Sequence, residues 1–155
     1  MALSSRPEVP AFDASDLKEL KRTLVTACRV LDREGITDGY GHVSARVPGA
    51  DAFLTIANVS PGLATVERLI MMDLDGKYLG GAETPPNEWP IHACVFKVRP
   101  DVMSIAHTNN GMRLSDMPGA RCFSIVTAIS TAPMSAAISV KVIIWAQTSI
   151  RLPGE

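Results

Sequence analysis

The stretch "NEWPIHACVFKVRPDVMSIAHTN", Asn87–Asn109, decides the fold. Its first half reads as a helix opening near Asn87 and ending before Pro100, because proline cannot continue a helix and restrains the residue before it. Its second half, "VMSIAH" at 102–107, is a short apolar strand that closes on a histidine. Glu88 and His92 lie four apart on that helix and so share one face. Asn87 can cap it, leaving Glu88 in the first turn, where the helix dipole favours a carboxylate. Two readings of the pair stand side by side: a general base or metal ligand beside an imidazole, or a cap-region acid beside a half-buried histidine. His107 and Asn109 point to one side of the strand, since side chains alternate. A second histidine at 109 would make a metal clamp, whereas an amide carbonyl is a poor zinc donor.

Upstream, "GYGHVSARV" (39–47) sets Gly39 and Gly41 before an alternating stretch, Val43, Ala45 and Val47, expected as a half-buried strand. His42 follows a Gly-x-Gly that gives weak support for an anion cradle. "FLTIA" (53–57) and "LIMMDL" (69–74) read as strands separated by a Ser-Pro-Gly loop, and Asp75-Gly76 reads as a hairpin turn. A first helix is signalled by Leu17, Leu20, Leu24, Ala27 or Cys28, and Leu31 at helical spacing. Asp16 is expected to cap it with Glu19 completing a capping box, and Gly35 to stop it. Helix, strands, helix and strand in that order predict a layered α/β domain.

Bulk properties exclude several classes. With 155 residues, 46% hydrophobic and 20% charged, the chain has the composition of one globular domain. A net charge of −1 offers no basic field for nucleic acid. Three widely spaced cysteines without a CxxC pair read as reduced thiols of a cytoplasmic protein. The N-terminus shows no secretion signal. The apolar run 123–150 is broken by Pro133 and Lys141, so strand rather than a membrane span is expected there. No phosphate-binding P-loop, dinucleotide fingerprint or nucleophile elbow occurs, and no base lies near a cysteine in sequence.

After Asn110 the texture changes. From Met117 to Gly154 there is no Asp, Glu, His or Tyr. The expected division is a flexible arm at 1–14, a domain at 15–110, and a divergent or truncated tail of that domain at 111–155.

Several of these stretches occur in the order and spacing of one family. Over about residues 16–109 the chain resembles the class II aldolase/adducin family, through "LVTACRVLDREGIT", "GYGHVSARV", "LIMMDLDGKYLGG", "NEWPIHACVFKVRPDV" and "MSIAHTN". The resemblance implies a three-layer α/β domain with a central, mostly antiparallel sheet flanked by helices, incomplete here at its C-terminus. It also implies a divalent metal, usually zinc, that polarises a carbonyl during cleavage of a carbon–carbon bond. Oligomers are common in the family, so a homo-oligomer without nucleic-acid or membrane partners is implied. Matched to the motif, Glu88 takes the acid/base position and His107 that of the first metal histidine. Asn109 stands where the second should be.

No histidine follows His107 to supply the family's third, and no tyrosine follows Tyr78 to act as a proton donor. Pro86-Asn87 replaces the phosphate-binding serines, which points to a non-phosphorylated carboxylate or carbonyl compound. The resemblance thus implies an aldolase- or decarboxylase-type lyase on a small oxo- or hydroxy-acid, with an incomplete metal site. The alternative is a non-catalytic, adducin-like interaction module or fragment. A third arrangement would join Glu88, His92 and His107 as two histidines and one carboxylate, a set suited to iron or manganese.

Overall fold

In a computed structural model the chain is described at residues 9–37, 39–81, 84–108, 123–130 and 140–146. Helix α1 (Lys18–Arg33) precedes strands β1 (Gly41–Arg46), β2 (Ala52–Ile56), β3 (Leu69–Asp73) and β4 (Tyr78–Gly81). Helix α2 (Trp89–Val98) and strand β5 (Val102–Thr108) follow, then β6 (Phe123–Ser130) and β7 (Val140–Ala146). The strands form one sheet in the order β4-β3-β2-β1-β5-β6-β7, and every neighbouring pair is antiparallel.

Side-chain alternation divides the core into two layers. Val43, Ala45, Val47, Leu54, Ile56, Leu69 and Met71 turn to one face and pack with Leu24, Val25 and Cys28 of α1. Phe53, Ile70, Met72 and Ile105 turn to the other and pack with Ala93 and Phe96 of α2. The three-layer expectation therefore holds. The expectation of a half-buried first strand does not, because all six β1 residues are buried. Helices cover both faces of this sheet, so polar residues of β1 must find partners inside the protein.

The caps also differ from expectation. Asp16 lies in a short 3-10 turn, Ser15–Leu17, and α1 begins after Leu17 with no side-chain cap bond, so Asp16 and Glu19 form no capping box. Asn87 does not cap α2; the cap position is Glu88 itself, with Pro90 in the first turn. Gly35 does end α1: at φ +67 it lets the Ile36 N–H reach Leu31 O and its own N–H reach Asp32 O. The Asp75-Gly76 turn is held by Asp73 Oδ1, which accepts from the N–H groups of Asp75 and Lys77.

Residues 9–14, expected within a flexible arm, are instead packed. Val9, Phe12 and Ala14 contact the α1 core, and buried Lys21 donates to Phe12 O while lying 3.3 Å over the Phe12 ring. An apolar ring beside α1 offsets the entropy that composition alone assigns to such a segment. Of the expected divergent tail, the backbone of β6 and β7 continues the sheet from β5. The remainder of 111–155 lies outside the described residues. Among the described residues, no helix is long and apolar enough to cross a membrane.

Candidate metal centre

Three alternate residues of β1 fasten α2 to the sheet along its length. His42 Nδ1 lies 2.9 Å from Glu88 Oε2 at the start of the helix. Ser44 Oγ is 2.7 Å from His92 Nδ1 at its middle. At its end, Arg46 donates to Phe96 O, Arg99 O and Val102 O, with its guanidinium 4.8 Å over the Phe96 ring. The Arg46 guanidinium thereby ties the last turn of α2 to the start of β5, sharing Arg99 O with the Val102 N–H.

β5 pairs with the other edge of β1, and His42 and His107 are direct partners in that register. Gly41 permits the close approach: its φ is +122, and a Cβ there would stand 2.8 Å from His107 O. Gly41, at the position expected to belong to an anion cradle, thus serves strand packing.

His92 of α2 lies over this pair. Ring centroids are 6.4 Å apart for His42–His92, 6.3 Å for His42–His107 and 5.9 Å for His92–His107. One ring nitrogen from each lies within 4.8 Å of the other two, and all three residues are buried. The Glu88 side chain sits at the rim, 36% exposed, with Oε2 also 3.9 Å from His107 Nδ1. Burial depresses the basicity of these rings. His92 is pushed down to about 3 by loss of solvent, reinforced by its two histidine neighbours. Loss of solvent also lowers His42, although the Glu88 carboxylate opposes the shift. Neutral imidazoles are the form that binds metal.

The donor set fits a divalent ion. It offers three imidazole nitrogens and a carboxylate, the types that zinc, iron and related metals take. Among the described residues, His92 Nε2 is buried and has no hydrogen-bond partner. The structure brings together Glu88, His92 and His107 from the sequence reading and adds His42. Asn109 lies outside the described residues. His42 was not expected in the cluster, because the further imidazole was sought downstream of His107. Its signal was the alternation His42, Ser44, Arg46 on one side of β1, opposite Val43, Ala45 and Val47. Cys28 takes no part in the described cluster: it is buried in the α1 layer and its thiol is pushed up to about 12, chiefly by desolvation.

Comparison with known proteins agrees with this architecture. The chain is 29% identical over 92 residues to a 5-methylthioribulose-1-phosphate/5-deoxyribulose-1-phosphate aldolase from Escherichia coli, covering 59% of this chain and 42% of the relative. It is 33% identical over 99 residues to a 3,4-dihydroxyphthalate decarboxylase from Arthrobacter keyseri, covering 57% and 40%. Among solved structures it superposes on an aldolase II superfamily protein from Pseudomonas syringae with a TM-score of 0.57 at 30% identity, covering 61% and 41%. The chain spans about two-fifths of the length of these relatives. Residues 22–119, which include α2, β5 and all three clustered histidines, match the class II aldolase and adducin N-terminal domain, and the chain belongs to that family.

Proposed function

We propose that this chain is the core of a divalent-metal-dependent lyase that decarboxylates or cleaves a small oxo- or hydroxy-acid. Glu88 moves the proton in this reading, and His107 is a metal ligand. The observation that carries it is the position of Glu88: a half-exposed carboxylate at the rim of a buried imidazole cluster, 2.9 Å from one ring and 3.9 Å from another. A carboxylate so placed can take a proton from a substrate carbon or oxygen and return it. When bound, a divalent ion at the histidines supplies a Lewis acid that polarises a substrate carbonyl. The neutral ring of His42, with Nδ1 2.9 Å from Oε2, positions the carboxylate by donating Nδ1–H to it, and Ser44 holds the ring of His92.

Aldolase and decarboxylase relatives both support a lyase. Two features favour a non-phosphorylated acid. Pro85 and Pro86 before Glu88 carry no backbone N–H to donate to a phosphate, and no glycine-rich phosphate loop is present. Zinc is the first metal of this proposal, with manganese or iron next. A homo-oligomer and a cytoplasmic setting belong to it too, the latter supported by the free thiols of Cys28 and Cys94.

A second reading has its own observation. Asn109 stands where the second histidine of the strand-end pair is expected, which favours a non-catalytic interaction module. One experiment separates the two. The chain is loaded with zinc or manganese and given a panel of small oxo- and hydroxy-acids, while carbon dioxide and aldehyde release are followed. The lyase reading expects turnover that Glu88→Gln abolishes with the circular dichroism spectrum unchanged. Turnover that survives the substitution would remove Glu88 from the mechanism, and an inert chain would favour the module.

A further inference from the structure

We infer that the metal of this chain is held by three imidazoles, His42 of β1, His92 of α2 and His107 of β5, so that Asn109 and the residues after it are not needed to bind it. The inference rests on the metal-dependent reading above and deepens it by naming a complete ligand set.

Position argues first. A set of nitrogens all within 4.8 Å of one another has a common centre no more than about 2.8 Å from each, roughly 0.7 Å beyond a zinc–imidazole bond. Small ring movements on binding close that gap. The three donors come from two hydrogen-bonded strands and the helix fastened across them, so the backbone that carries them is already assembled.

Orientation argues second. A metal-bound histidine ordinarily uses its other ring nitrogen on a carboxylate, carbonyl or similar group, which sets its tautomer. His42 presents Nδ1 to Glu88 and His92 presents Nδ1 to Ser44. In the tautomer where His92 Nδ1–H donates to Ser44 Oγ, the lone pair of Nε2 is left for the ion. That nitrogen is buried and, among the described residues, has no hydrogen-bond partner. Burying it unused would cost the solvation it had in water, and a metal bond removes that cost.

Openness argues third. Three protein nitrogens leave a fourth position, as in catalytic zinc sites, and the half-exposed Glu88 carboxylate marks the side from which solvent or substrate reaches it.

The test uses the full, tag-free chain and needs no substrate. Cobalt(II) is titrated and followed by its visible spectrum, and the X-ray absorption of the zinc-loaded chain counts bound imidazoles. One metal per chain and three imidazoles are expected. His42→Gln and His92→Gln should each weaken cobalt binding by at least about tenfold, the scale expected when a site loses a group that forms it. Asn109→Ala should stay within about twofold of the unmodified chain, as for an independent site. Circular dichroism of the metal-free variants establishes that they fold. Should His92→Gln fail to fold, the imidazole count on the unmodified chain still decides. No bound metal, a count of one or two imidazoles, or an Asn109→Ala effect equal to that of His42→Gln would each overturn the inference. A chain that binds metal through three imidazoles yet turns nothing over would leave it standing and overturn the lyase proposal instead.

Discussion

His42 and His107 are register partners across β1 and β5, and Gly41 beside His42 is what lets the strands meet so closely at that point. Two rings on one face of an antiparallel pair are neighbours by construction. The third ring reaches them because α2 is fastened to the same three residues of β1 that carry polar side chains. Site and scaffold therefore share the contacts Glu88–His42 and Ser44–His92, and changes to one should be felt in the other.

Ser44→Ala removes the hydroxyl beside His92 Nδ1 and leaves a buried nitrogen unsatisfied. The loss should be about 1–3 kcal/mol of stability. Urea unfolding measures it, and the same variant should bind cobalt more weakly because the His92 tautomer is no longer set. An undisturbed midpoint would mean that the hydroxyl contributes nothing to the fold.

Gly41→Ala places a methyl group 2.8 Å from His107 O at a φ of +122 that alanine resists. Roughly 1–3 kcal/mol of destabilisation is expected from strain alone. Because the clash falls on the backbone of His107, metal affinity should drop with stability. Thermal melts with and without zinc report both effects, and a smaller zinc-induced rise in Tm than in the unmodified chain is the expected result.

Acid should destabilise the metal-free protein. Both His92, pushed down to about 3, and His42, also lowered, resist protonation in the folded state. Once the pH falls below about 6.5 the unfolded chain takes up protons on these residues that the folded chain refuses. Stability is therefore unaffected by them above that value and falls below it, by about 1.4 kcal/mol per pH unit for each ring held neutral. Urea midpoints in the presence of a chelator should decline from about pH 6.5 to about pH 4, and His92→Gln should make the decline shallower. A flat profile over that range would show that the rings charge freely in the fold.

Phe53→Ala tests the layer that supports α2. Phe53 is fully buried, and its ring centroid is 5.6 Å from that of Phe96. Truncation should cost about 3–5 kcal/mol. By loosening α2 against the sheet it should also weaken metal binding at His92, although Phe53 is not a ligand. Equal cobalt affinity in a folded Phe53→Ala variant would show that His92 is held by Ser44 alone.

By itself the sequence determined the local pieces, because each rests on contacts within a few residues. The period of Leu17, Leu20 and Leu24 marked α1, Gly35 marked its end, Pro100 bounded α2, and the Asp75-Gly76 turn joined β3 to β4. Glu88 and His107 could be named as candidates because they sit in stretches whose order resembles one family. The caps were misread because tertiary contacts override weak local preferences: Leu17 and Glu88 occupy positions that Asp16 and Asn87 were expected to fill. The packing of Phe12 on α1 and the burial of both faces of β1 were equally out of reach, since they depend on where distant segments come to lie. Only the tertiary structure decided the third imidazole. His42 lies 50 residues before His92 and 65 before His107. Nothing in linear spacing links them; strand register and the fastening of α2 across β1 do.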